Sequence, residues 1–73
     1  MKITDSVSFG RAIRARRKEL HYTQAFLSAF TGYSVSFLSD LENGKTTCEL
    51  GKALHLAGLL GLDCSLNTRG SQA

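Results

Sequence analysis

"YTQAFLSAFTGYSVSFLSDLENGKTT", residues 22–47, holds two short segments of helical periodicity separated only by Gly32, Tyr33 and Ser34. Thr23 offers a side-chain oxygen to the unpaired N–H groups at the head of a helix predicted over Gln24 to Thr31, and Gly32 supplies the left-handed backbone that ends it. Ser34 caps the next helix, predicted over Val35 to Asn43, and the Asn43–Gly44 dipeptide stops it. Leu38, Leu41 and Glu42 fall on one side of this second helix, the side turned inward. A lone buried carboxylate is costly unless it is paired. The stretch therefore requires a cation from elsewhere in the chain.

The segment before it supplies one. Asp5 or Ser6 caps a helix running to Leu20, in which Phe9, Ile13, Arg17 and Leu20 recur at helical spacing while Arg11, Arg14 and Lys18 point elsewhere. Arg17 thus stands in line with apolar residues and is the natural mate of Glu42. After the central stretch, Thr47 caps a fourth helix predicted over Cys48 to Leu60, with Leu50, Ala53, Leu54, Ala57 and Leu60 as its apolar stripe. The tail then changes period. In "LDCSLNT" Leu62, Cys64 and Leu66 alternate with polar residues, the pattern of a strand with one buried face over residues 62–68. No other segment reads as a strand, so its backbone groups are expected to pair with the same strand of a second copy. "RGSQA", residues 69–73, has little to bury and is expected to be disordered. One mainly α domain over residues 6–68 results, a compact bundle of four to five helices closed by a strand that pairs across a homodimer.

Seventy-three residues bury a small share of their surface, and domains of this size usually gain support from a disulfide, a metal or another subunit. The first two are disfavoured. Cys48 and Cys64 form no CxxC or Cys/His pattern, and no secretory leader precedes the domain, which points to reduced thiols in a cytoplasm. Cys48, His55, Cys64 and His21 match no familiar zinc spacing, so no metal or other cofactor is expected. The apolar stretch "ALHLAGLLGL" is too short to span a bilayer. His21 and His55 are far apart, no nucleophile motif is present and the acidic residues are scattered, so an enzyme is not expected. The net charge of +3 is modest but uneven: Arg11, Arg14, Arg16, Arg17 and Lys18 place five of the nine basic residues within eight positions. Such a run is either a solvated helix face or part of a nucleic-acid footprint.

Two short helices joined through Gly32-Tyr33-Ser34 have the anatomy of a helix-turn-helix, whose second helix enters the major groove of DNA. The stretch resembles the phage-repressor and Cro type, in which TQ opens the first of the two helices, glycine ends it and ENGK follows the recognition helix. "FGRAIRARRKEL", "SFLSDLENGK", the leucine-rich helix and the terminal strand further resemble the HipB-like antitoxins. That resemblance implies a dimeric repressor of its own operon and a HipA-like serine/threonine kinase toxin as partner, with a further small operon-encoded protein in some arrangements. It also implies that Arg17 and Glu42 form a structural ion pair.

Site residues divide by chemistry. The N-terminus of the first helix of the pair carries free donors and partial positive charge, so Thr23 and Gln24 are expected to hold a phosphate oxygen; Gln24 also matches a phosphate-binding position of the family. Asn43 and Lys45 match another backbone-contacting position, with Thr46 assisting, while Arg11, Arg14 and Lys18 either contribute to phosphate binding or are merely solvated. Base contacts fall to Ser34, Val35, Ser36 and Ser39, all short, so readout is expected to lean on half-site spacing and DNA shape. Asp40, one turn beyond Ser36, is either a solvated residue at the groove's rim or an acceptor from cytosine N4. His21 stands where relatives place glycine, a position that can demand left-handed backbone. Phe26 and Phe30, four apart, either pack against a neighbouring helix or form a docking surface. Two alternative functions stay open: a protein-binding module with weak DNA affinity, and a phage or restriction-control regulator without a toxin.

Overall fold

The protein, in a computed structural model that describes residues 2–69, is built from four helices: α1 (Ser6–Glu19), α2 (Gln24–Thr31), α3 (Val35–Glu42) and α4 (Leu50–Leu59). Asp5 caps α1 through a reciprocal box: its carboxylate accepts from the Ser8 N–H at 2.8 Å, and the Ser8 hydroxyl oxygen accepts from the Asp5 N–H at 3.1 Å. The backbone bond from Ser8, followed by that from its hydroxyl, holds the Asp5 carboxyl below the usual carboxylate range. At the other end, the N–H groups of His21 and Tyr22 reach back to the carbonyls of Lys18 and Arg17 at 3.0 and 3.1 Å. This 5→2 and 6→1 pairing puts His21 in the left-handed region, at φ 61°. The glycine-like demand expected at this position is real, and a histidine meets it at some strain.

Thr23 and Ser34 cap α2 and α3 as the sequence indicates, accepting from the N–H groups of Phe26 and Phe37 at 2.9 and 3.0 Å, and Gly32 ends α2 at φ 84°. Thr31 donates to the Leu27 carbonyl at 2.8 Å and accepts from the Tyr33 N–H at 3.1 Å. A hydroxyl at the helix–helix junction is thereby satisfied. α3 ends at Glu42, with Asn43 as its cap.

The core is Ile13 of α1, Leu27 of α2, Leu38 and Leu41 of α3, and Ala53, Leu56, Ala57 and Leu60 in and just after α4. Phe9, Leu20, Tyr22, Tyr33, Phe37, Cys48 and Leu62 pack around it. α1 crosses the C-terminal end of α3 at Gly10, which is buried. A Cβ there would come within 2.9 Å of the Glu42 carbonyl oxygen and closer still to that of Leu41. Only glycine allows the two backbones to approach this far.

Two expectations about the C-terminal half change. α4 starts at Leu50 with Glu49 in the capping position, rather than at Cys48 under Thr47. Thr46 and Thr47 are in a turn after α3 and Cys48 packs half-buried against the core, so the chain completes that turn before the helix begins. The apolar stripe is also rotated: Leu56 is buried, whereas Leu50 and Leu54 are exposed at 69% and 43%. Residues 62–68 have no regular secondary structure in the single chain, and no strand occurs among the described residues. Leu62 packs on the core, Cys64 is exposed and Leu66 is fully exposed. Every element among the described residues is helical, so they hold no strand for this segment to pair with. Gly70 to Ala73 of the expected disordered tail lie outside the described residues.

Candidate nucleic-acid interface

Arg17 and Glu42 meet as a two-pronged pair: Arg17 Nε donates to Glu42 Oε2 at 2.7 Å and Arg17 Nη2 to Oε1 at 2.9 Å. Their side chains are 10% and 3% exposed. A third donor, Nη1, reaches the Tyr22 carbonyl at 2.8 Å. The guanidinium thus clamps α1 to the end of α3 and to the entry of α2 together. The hydrogen bond to Glu42 raises the already high Arg17 pKa further against the opposing effect of burial. No buried side-chain polar atom lacks a partner among the described residues. The inward carboxylate of α3 is thus neutralised within the fold.

Gln24 belongs to the same network, which its sequence position did not reveal. Its Nε2 donates to Glu42 Oε1 at 3.1 Å. The amide is thereby aimed inward from the first position of α2, with its oxygen left over. Thr23 spends its hydroxyl oxygen on the helix cap. By helix geometry, the N–H groups of Gln24 and Ala25 remain without an intrahelical partner, so the donors free at this corner are chiefly main-chain.

Ser34, Val35 and Ser36 are exposed at the start of α3, and Ser39, one turn on, is half-buried. The Ser34 oxygen is used as the cap of α3, and Ser39 accepts a long bond from Asn43 Nδ2 at 3.4 Å. Ser36 and Val35 are thus the residues of this set without such an internal tie. Beyond them, the turn after α3 folds back: the Lys45 N–H donates to the Asp40 carbonyl at 3.0 Å, and Lys45 Nζ meets Asp40 Oδ2 at 3.3 Å. Gly44 lies beneath this turn at φ 80°, where a Cβ would meet Val7 at 2.8 Å. Asn43 and Thr46 are exposed beside it. Asn43, Lys45 and Thr46 are therefore brought together at the C-terminal end of α3.

The basic residues of α1 split into distinct roles. Arg17 is in the buried pair, and Arg16 donates from Nε to the Leu60 carbonyl at 2.8 Å, closing the end of α4. Arg11, Arg14 and Lys18 form an exposed line. Phe26 and Phe30 are 49% and 63% exposed. They do not bury themselves against α1 or α4; with Tyr22 they make a ladder on the surface, at centroid separations of 4.8 and 6.3 Å. Tyr33 links α4 to the start of the recognition helix through a 2.7 Å hydrogen bond with His55 Nδ1. No three histidine, cysteine, aspartate or glutamate side chains converge among the described residues, and none of their helices is long and apolar enough to cross a membrane.

Residues 13–66 match the family model described as helix-turn-helix. The chain is 35% identical over 66 residues to an uncharacterized HTH-type transcriptional regulator, y4mF, of Sinorhizobium fredii, covering 90% of this chain and 84% of that protein. It is 32% identical over 62 residues to the ImmF control region 10 kDa protein of Bacillus phage phi105, covering 85% of this chain and 69% of the phage protein. Among solved structures, a HipB variant in an O2 20-mer complex superposes with a TM-score of 0.83 at 23% identity, over 94% of this chain and 96% of that one.

Proposed function

The chain belongs to the helix-turn-helix family, and from that premise we propose that it is a homodimeric, sequence-specific repressor acting as the HipB-like antitoxin of a toxin–antitoxin operon in the cytoplasm. The observation that carries the DNA-binding part is the placement of α3. Its start, Ser34 to Ser36, is exposed to solvent, and the Arg17–Glu42–Gln24 network ties the end of α3 to α1 and to the first residue of α2. A helix presented this way fits the major groove, with the α2 N-terminus and the Asn43–Lys45–Thr46 turn on the flanking phosphates. In this reading Val35, Ser36, Ser34 and Ser39 touch base edges, and Thr23 and Gln24 act mainly through the backbone.

Dimerisation is supported by apolar surface left uncovered in the C-terminal half of the chain. Leu50, Leu54 and Leu66 are exposed, and residues 63–68 lie outside any helix, beyond the Leu62 N–H that bonds the Ala57 carbonyl, where a second copy could pair with them. The HipA-like kinase partner, with or without a further small operon-encoded protein, rests on the sequence resemblance and is consistent with the HipB-like fold. The phage-type relative also fits a regulator without a toxin. The exposed ladder of Tyr22, Phe26 and Phe30 favours a second reading, in which the fold grips a protein and touches DNA weakly.

One binding experiment separates these readings. Duplexes selected from a random-sequence pool by the intact protein should share a two-fold site, and affinity should fall steeply with salt as counterions are released. Lys45→Ala should weaken all duplexes about equally, whereas Ser36→Ala should change their ranking. Absence of duplex binding at low salt, together with a stable complex with the co-expressed neighbouring kinase, would establish the protein-binding reading instead.

A further inference from the structure

In the free protein the cation expected to hold phosphate is already engaged. Lys45 Nζ lies 3.3 Å from Asp40 Oδ2, with the side chains 55% and 44% exposed. The neighbouring charges on this rim are matched too, Glu49 against Lys52 at 2.7 Å, and both pairs line one shallow hollow beside α3 with Ser36 and Phe37. A half-exposed pair of this kind is weak, so Lys45 is held but easily released. Asp40 is on α3 one turn beyond Ser36, on the same solvent-facing side of the helix, and Lys45 is in the turn that follows.

Resting on the DNA-binding reading above, we propose that Asp40 makes the Lys45–phosphate contact conditional on sequence. On most sequences the carboxylate stays on Lys45 and cancels its charge, so the pair gains nothing from the phosphates. Where a cytosine N4 amino group faces Asp40, the carboxylate accepts from it and Lys45 is released to the backbone. Asp40 thus suppresses sequence-independent binding and specifies a cytosine in each half-site. This gives a positive use to an acid that otherwise only repels DNA.

The test uses the intact chain and a 30-base-pair duplex of random sequence as probe, with affinity measured over a salt series. If the pair is a gate, Asp40→Asn frees one cation per subunit. The slope of log affinity against log salt should then steepen by about 0.9 per subunit, and random-duplex binding at ~0.1 M salt should tighten about eightfold per subunit. In a Lys45→Ala background the same change should leave the salt slope almost unaltered, because the cation it would free is absent, and any tightening should come only from removing an unpaired carboxylate. Sites selected by the wild type should carry a fixed cytosine in each half, and those selected by Asp40→Asn should not. Equal salt slopes for wild type and Asp40→Asn, a slope that steepens as much without Lys45, or a cytosine preference unaltered by Asp40→Asn would each overturn the proposal while leaving the DNA-binding reading intact. No binding of any duplex by wild type or variants would remove that reading, and the proposal with it.

Discussion

Glutamine in place of Glu42 keeps the shape of the side chain and removes its charge, leaving the Arg17 guanidinium nearly out of water with one neutral acceptor and the Tyr22 carbonyl. A solvent-exposed pair is worth under about 1 kcal/mol, whereas breaking a dry one from one side costs about 3–5 kcal/mol. With side chains only 10% and 3% exposed and two short bonds between them, the pair belongs near the dry limit. A domain of this size holds a total of about 4–11 kcal/mol, so Glu42→Gln removes about a quarter or more of it. At about 4–8 °C per kcal/mol, the thermal midpoint should fall by about 12–40 °C. Circular dichroism melts at pH 7 and one fixed protein concentration measure this directly; the concentration matters because association would add to apparent stability. Arg17→Met with Glu42→Leu leaves no buried charge, and the double variant should melt much closer to wild type. Gln24 loses an acceptor in that variant, but its half-exposed amide turns to solvent. A drop below about 5 °C for Glu42→Gln would show that water screens the pair and that the α1–α3 clamp is not what holds the recognition helix.

Two further substitutions test the backbone geometry. Gly10→Ala inserts a methyl group against the carbonyls of Leu41 and Glu42, neither of which can give way as a flexible side chain would. It should destabilise by about 1–3 kcal/mol, measured as a lower urea midpoint with unchanged slope. His21→Gly relieves a left-handed residue at φ 61° and should raise stability by roughly 1 kcal/mol. A loss there would mean that the histidine side chain makes a stabilising contact worth more than the strain.

The helix-turn-helix and its internal brace were legible in the chain because they are set by local chemistry. Thr23 and Ser34 bond backbone groups three residues on, Gly32 takes a conformation other residues avoid, and a carboxylate at an inward position has to be neutralised, for which Arg17 was the apolar-face cation available. Residues whose roles depend on what lies across the fold were not legible. Gly10 resembles any helical glycine until α3 arrives against it. Arg16 sits in a basic run that gives no hint of the Leu60 carbonyl, and Gln24 shows its tie to Glu42 only when α1, α2 and α3 are assembled. The outer half of the apolar stripe on α4 was misplaced for the same reason: periodicity finds an apolar face, but where that face is centred depends on the angle at which α4 meets the other helices, which leaves Leu50 and Leu54 in solvent and Leu56 inside. The sequence by itself therefore determined the elements, their caps and the need for a buried counter-charge, since these follow from interactions within a few residues or from the cost of an unpaired charge. The tertiary structure alone decided which helix backbones touch, which donors converge on Glu42 and how Asp40 folds over Lys45, because those depend on distances between segments that no periodicity encodes.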